Sequence, residues 1–103
     1  MAKSKSAQVV APKITLTSIE AFSRIIHLSD TLQVRLWREG GHWFCENEQL
    51  SLSAFGDTES EALQQFSEDF FMTWDGLRDE PDTQLTLDAQ KLRQRFRDII
   101  ESD

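Results

Sequence analysis

The residues best able to do chemistry lie between positions 42 and 48. This stretch holds the single cysteine, Cys45, together with His42, Glu46 and Glu48. A cysteine nucleophile needs a nearby base that lowers its pKa, and catalytic carboxylates need a site that holds them together. Successive strand residues point to opposite faces, so a sheet would separate His42 from Cys45. We interpret Cys45 as a buried thiol and the two glutamates as a solvated strand edge.

Metal and phosphate chemistry lack their usual motifs. The histidines, His27 and His42, are isolated, and the spacing typical of zinc ligands is absent from the sequence. The four glycines occur singly or as the pair Gly40-Gly41, which does not make a phosphate-binding loop. We therefore predict a protein without metal, cofactor or enzymatic activity.

The charge balance points to a basic protein as the partner. The chain has 103 residues and a net charge of −7. Residues 57–82 contain nine acidic residues against Arg78 alone, which gives this segment a charge of −8. Such a field repels nucleic acid and attracts basic proteins. The alternative is a solvated acidic helix that only keeps the protein soluble.

The sequence favours a cytoplasmic protein. The longest apolar runs are far shorter than the ~18–20 residues of a membrane helix, so no membrane contact is expected. The first residues lack the apolar segment of a signal peptide. A lone cysteine cannot form an internal disulfide, which fits a reducing compartment.

A glycine turn is the clearest structural signal. Residues 31–39 alternate apolar and polar, and Gly40-Gly41 supplies the positive φ angles of a two-residue hairpin. This turn pairs Glu39 with His42 and fixes the register. The predicted pairs are Leu36 with Cys45 on the core face and, on the other face, Trp37 with Phe44, Arg35 with Glu46 and Gln33 with Glu48.

The segments around the hairpin predict one α+β domain over residues 14–103, after a mobile basic arm at 1–13. We expect a three- to four-stranded antiparallel sheet, with one main helix packed on one face and a C-terminal helix. Residues 14–28 fit a short helix or irregular lead-in, which we favour, or an extended segment. Residues 50–55 predict a strand, and 84–87 a short fourth strand.

Two helices follow the third strand. In the first, over residues 58–78, Thr58 and Glu61 would cap each other's backbone. Its apolar stripe is Leu63, Phe66, Phe70, Trp74 and Leu77, joined by Ala62, with Phe71 off the stripe. The second spans 88–100 with an apolar stripe and an opposite face that carries Lys91, Arg93, Arg95 and Arg97. Basic residues spaced by two spread around a helix, so direct nucleic-acid binding is disfavoured.

The outer face of the sheet is the candidate site. Strand alternation places Trp37, Phe44 and Phe55 there, and a cluster of exposed aromatic residues usually marks an interface. In the alternative arrangement, residues 14–28 or the last helix cover the cluster.

The pattern from residue 32 to 78 resembles the HicB family of antitoxins and its stand-alone relatives. The resemblance rests on Val34 to Trp37, on Gly41-His42-Trp43, and on the Gly-Asp-Thr turn that opens Gly56 to Leu63. It implies a small sheet with a helix on it, related to the ribonuclease H fold but without catalysis. It also implies a partner, a small basic toxin of the HicA type that cleaves messenger RNA.

The chain departs from the family pattern in two places. The turn Asn47 to Leu50 lacks the usual proline and glycine, and the segment after Pro81 is too short for a DNA-binding unit.

The resemblance implies an antitoxin that neutralises a small basic RNA-cleaving toxin. The alternatives are a stand-alone adaptor or homo-oligomeric binding module and, more remotely, a ribonuclease H-like nuclease. The predicted partner-binding residues are Trp37, Phe44, Glu46, Glu48, Phe55, Asp75 and Asp79.

Overall fold

A computed structural model of the chain describes residues 13–100. It confirms the α+β class, with a four-stranded antiparallel sheet in the order β1-β2-β3-β4 and two helices. The elements are β1 (Lys13–Ala21), β2 (Arg24–Glu39), β3 (His42–Asn47), β4 (Leu52–Gly56), α1 (Glu59–Arg78), a 3₁₀ turn (Asp82–Gln84) and α2 (Leu87–Ile99). The predicted arm at 1–13 lies outside the described residues, apart from Lys13 at the start of β1.

The glycine hairpin has the predicted register. Gly40 and Gly41 take φ angles of 59° and 83°, and Glu39 pairs with His42. The pairs of Leu36 with Cys45, Trp37 with Phe44 and Arg35 with Glu46 are all present. The predicted pair of Gln33 with Glu48 is wrong, since the β2–β3 ladder ends at Arg35 and Glu46.

Asn47 explains where that ladder ends. Its Nδ2 donates to the Gln33 carbonyl at 2.8 Å, and its Oδ1 accepts from the Leu50 amide at 2.7 Å. The side chain therefore closes the β3–β4 turn and leaves Glu48 exposed in it. Leu50 is buried, as expected, but belongs to this turn and not to β4.

The fourth strand comes from residues 14–28, for which we favoured a short helix or irregular lead-in and kept an extended segment as the alternative; the extended form is the one present. Residues 14–28 form most of β1 and the start of β2, joined by a two-residue turn at Phe22 and Ser23. Both turn residues have positive φ angles, 55° and 59°, which non-glycine residues seldom adopt. The helical spacing of Ile19, Phe22, Ile25 and Ile26 arises because this set spans the turn: Ile19 pairs with Ile26 across the β1–β2 ladder, and Phe22 lies in the turn itself. The predicted strand at 84–87 is wrong, since this segment ends the 3₁₀ turn and begins α2.

The core lies between the sheet and the two helices. From α1 the fully buried residues include Phe66, Phe70 and Phe71, whereas Leu63 and Leu77 lie at its margin. Phe71 is covered by the β1–β2 turn, because the Phe22 ring lies 6.4 Å away and the Arg24 guanidinium 4.5 Å away. Residues from α2 join the same core, so both helices occupy one face of the sheet.

The start of α1 fits closely against β4. The Thr58 Oγ1 accepts from the Glu61 amide at 3.1 Å, as predicted, but the Glu61 carboxylate accepts from the Asp57 amide and not from Thr58. A Cβ atom on Gly56 would lie 2.7 Å from the Ala62 nitrogen. This glycine therefore allows the helix to begin directly against the strand.

Arg93 is buried, whereas the sequence predicted that it would be exposed. We expected it on an exposed basic face of α2, yet it is 7% exposed. Its guanidinium donates to the Leu77 carbonyl at 3.3 Å, to the Glu80 carbonyl and to the Asp82 carboxylate. It therefore satisfies carbonyls at the end of α1 and fixes α2 to that end.

Candidate functional site

Aromatic side chains form a continuous row on the sheet face opposite the helices. Trp37 on β2 stacks on Phe44 on β3, with ring centroids 5.7 Å apart and planes 18° from parallel. Phe44 in turn lies 6.0 Å from Phe55 on β4, with its plane tilted by 32°. Trp37 and Phe44 are half-buried and Phe55 is 62% exposed. We name these three residues the outer aromatic cluster.

Polar groups surround the cluster and hold its rings in place. The Arg35 guanidinium lies 5.3 Å from the Trp37 ring and is paired with the Glu46 carboxylate. The Trp37 Nε1 donates to the Glu39 carboxylate at 3.3 Å. The indole is thus held by a cation–π contact on one side and a hydrogen bond on the other. Arg35, Glu46 and Glu39 form a polar rim around an apolar centre, as at protein interfaces.

A histidine completes the rim beside β4. The His42 ring meets the Phe55 ring edge-on at 6.3 Å, and its Nδ1 lies 3.1 Å from the Asp57 Oδ1. We did not predict Asp57 as a partner of this surface. The strand alternation could have placed His42 beside Phe55, but the approach of Asp57 depends on the turn geometry after β4.

The outer aromatic cluster is uncovered within residues 13–100. From the sequence, two segments could cover it, residues 14–28 and the last helix. Residues 14–28 extend the sheet as β1 and the start of β2, and α2 packs on the opposite face. Neither segment crosses the outer face, so the aromatic rings are accessible from that side of the described structure.

The predicted site residues do not form one surface. Trp37, Phe44, Glu46 and Phe55 lie together on the outer face, and Glu48 lies at its border in the β3–β4 turn. Asp75 and Asp79 lie on and just after α1, on the helix side of the sheet. These two aspartates therefore lie apart from the aromatic rings, and a partner flat against the rings does not reach them.

Asp75 already has a structural partner. Its two oxygens accept from the Arg24 guanidinium at 2.7 and 3.1 Å. These hydrogen bonds lower the pKa of Asp75, and nearby Arg78 lowers it further. The pair fixes the β1–β2 turn to α1, so Asp75 has a role in the fold. Asp79 is largely exposed and lies 3.6 Å from the Arg78 Nε.

Cys45 has the properties of a core thiol. It is fully buried, and its Sγ donates to the Ala62 carbonyl at 3.2 Å. Burial raises the pKa of the Cys45 thiol to about 11. The thiol is therefore protonated at neutral pH, and His42 lies on the other face of the sheet. Thiolate chemistry at Cys45 has no support in this geometry.

Neither a metal site nor a membrane-spanning helix is found among residues 13–100. No group of three His, Cys, Asp or Glu side chains in this range is arranged to bind a metal ion. Neither of the described helices combines the length and the apolar composition needed to cross a lipid bilayer.

A comparison of the chain with protein-family models, with curated proteins and with solved structures finds no match.

Proposed function

We propose that this chain is a binding protein that neutralises a small basic RNA-cleaving toxin of the HicA type in the cytoplasm. The observation that carries the proposal is the outer aromatic cluster, a row of three rings that crosses three strands. Exposed aromatic clusters are rare on proteins that do not use them for contact. Aromatic residues also supply a large share of the binding energy at interfaces.

The charge distribution supports a basic partner. Residues 57–82 carry a net charge of −8, and most of them lie in α1. This field attracts a cationic protein over about 8–10 Å at physiological salt, which raises the association rate. The aromatic rings would then provide the contact that holds the partner. In this arrangement the acidic helix steers the partner and the sheet face binds it.

The test uses purified toxins of the HicA type with a messenger RNA cleavage assay. The wild-type chain should suppress cleavage, and Trp37→Ala and Phe55→Ser should each weaken suppression about tenfold or more. Met72→Ser is the matched control, since Met72 is also 62% exposed but lies on α1. The control should suppress cleavage as the wild type does.

Two results would overturn this proposal. One is the absence of binding to any of these toxins at low salt. The other is equal suppression by the wild type and both outer-face variants. If the chain instead self-associates and Phe55→Ser makes it monomeric in sedimentation, the outer face binds a second copy, and the chain is an oligomeric binding module.

A further inference from the structure

Strand β4 forms an open edge of the sheet. It pairs with β3 alone among the described residues, and the strand order places it last. An edge strand presents unpaired backbone N–H and C=O groups that can hydrogen-bond to a strand from another chain.

The register identifies the free backbone groups. In an antiparallel ladder, successive residues bond alternately to the two neighbouring strands. His42 closes the two-residue turn and bonds to β2, so Cys45, three residues later, bonds to β4. Its partner Ala54 therefore turns its backbone groups toward β3. Ser53 and Phe55 flank Ala54 and direct their N–H and C=O groups to the open edge.

The two edge strands of the sheet differ in how well they are protected against pairing with a strand from another chain. Natural edge strands avoid unwanted pairing through bulges, lysines and prolines. The other edge strand, β1, begins with Lys13 and is interrupted by a bulge between Leu16 and Ser18. In contrast, β4 has the sequence Leu-Ser-Ala-Phe-Gly and an unbroken register with β3. It lacks all three of these features, so it is the edge suited to pairing.

An acidic groove runs beside this edge. It lies between β4 and α1 and has a volume of about 630 Å³. The groove is lined by Ser53, Ala54, Phe55, Gly56 and Asp57 on one side and by Glu61, Gln64, Gln65 and Asp69 on the other. Its lining thus contains three carboxylates, two amides and no basic side chain. The groove complements lysine or arginine side chains.

We propose that the edge of β4 binds an extended segment of a protein partner as a fifth strand. Lysine or arginine at alternate positions of that segment would face Glu61 and Asp69, and apolar side chains at the intervening positions would lie next to Phe55. The added strand would pair with the free backbone groups of Ser53 and Phe55. The inference deepens the proposed function, on which it rests, because it specifies how a basic partner is held beside the outer aromatic cluster.

The test uses a synthetic peptide of alternating lysine and valine, capped at both ends, and the full chain. Binding should slow hydrogen exchange of the Ser53 and Phe55 amides, measured by NMR. A matched peptide with glutamate in place of lysine should bind far more weakly. A lysine–valine peptide with N-methylated backbone amides should also lose binding, because it cannot donate to the edge. Unchanged exchange at both amides in the presence of the lysine–valine peptide would overturn the inference.

Two protein variants test the contribution of the β4 edge to binding without changing the outer aromatic cluster. Ser53→Pro removes an edge N–H at a position where a strand tolerates proline. It should weaken peptide binding about tenfold, roughly the value of one hydrogen bond, whereas Ser53→Thr should bind as the wild type does. Asp69→Asn should weaken binding at low salt, whereas Asp88→Asn on α2 should not.

The variants also separate this inference from the proposed function. If Trp37→Ala abolishes toxin suppression while Ser53→Pro retains both suppression and peptide binding, the function stands and the edge inference fails. If none of the toxins is suppressed but the peptide protects the Ser53 amide, the edge binds extended basic segments and the toxin assignment fails.

Discussion

The Trp37 ring stacks on the Phe44 ring across the β2–β3 ladder, on the face of the sheet that carries no helix. Because this face is open, we expect Trp37→Ala to lower the free energy of unfolding by only about 0.5–1.5 kcal/mol. Phe70→Ala, on the buried face, should cost about 3–5 kcal/mol. Urea unfolding measures both. Equal losses would mean that the outer aromatic cluster serves the fold and not a partner.

Gly56 and Gly76 form a matched pair for the contact between β4 and α1. A Cβ on Gly56 would lie 2.7 Å from both the Ala62 nitrogen and the Glu61 Cβ, while Gly76 on α1 has open space at that position. Gly56→Ala should therefore destabilise the protein by about 1–3 kcal/mol. Gly76→Ala should stabilise it by about 0.5–1 kcal/mol through helix propensity. In thermal unfolding, Gly56→Ala should lower the Tm and Gly76→Ala should raise it.

Arg93 should contribute to stability as no other basic residue of α2 does. The hydrogen bonds of its buried guanidinium to the Leu77 and Glu80 carbonyls and to Asp82 would be lost in Arg93→Met. We expect a loss of about 1.5–3 kcal/mol in urea unfolding, the range for hydrogen bonds to a charged group. Arg95→Met, on the exposed face, should change stability by less than about 0.5 kcal/mol. Similar losses in the two variants would contradict this role.

The pair of Arg24 and Asp75 should give stability a dependence on acid pH. The hydrogen bonds from Arg24 lower the pKa of Asp75 in the folded state below its ordinary value of 3.8. The stabilisation is therefore fully present above the ordinary pKa and is lost as the pH falls through the folded value. The difference in urea midpoint between wild type and Asp75→Asn should be constant above about pH 5 and shrink below it. In an Arg24→Gln background, this pH-dependent difference should disappear.

The parts of the fold that were predictable from sequence depend on local signals. Gly40-Gly41 fixes a turn type, and a turn type fixes a register, so the contact of Trp37 with Phe44 followed from a few residues. The β1–β2 turn gave no such signal. Phe22 and Ser23 adopt positive φ angles without glycine, and their conformation is held by contacts to α1 that only the folded chain provides.

The candidate site was predictable to a similar extent. Alternation along the strands placed Phe44 and Phe55 on one face, and the structure has them in contact. Sequence could not show that Asp75 would face Arg24, 51 positions earlier, or that Arg93 would turn inward to the end of α1. Both contacts join segments that are distant in sequence. The free groups of β4 likewise become evident only once the strand order is known.

The strand order also has a consequence for folding during synthesis. Each strand pairs with its neighbour along the chain through a short loop, and all four strands precede α1 and α2, so they are synthesised before either helix. Local pairing of this kind favours rapid folding. If the strands pair as they emerge, the apolar inner face exists while the helices that cover it are still being made. We expect this stage, with the apolar face bare, to be the one at which the nascent protein is most prone to aggregate.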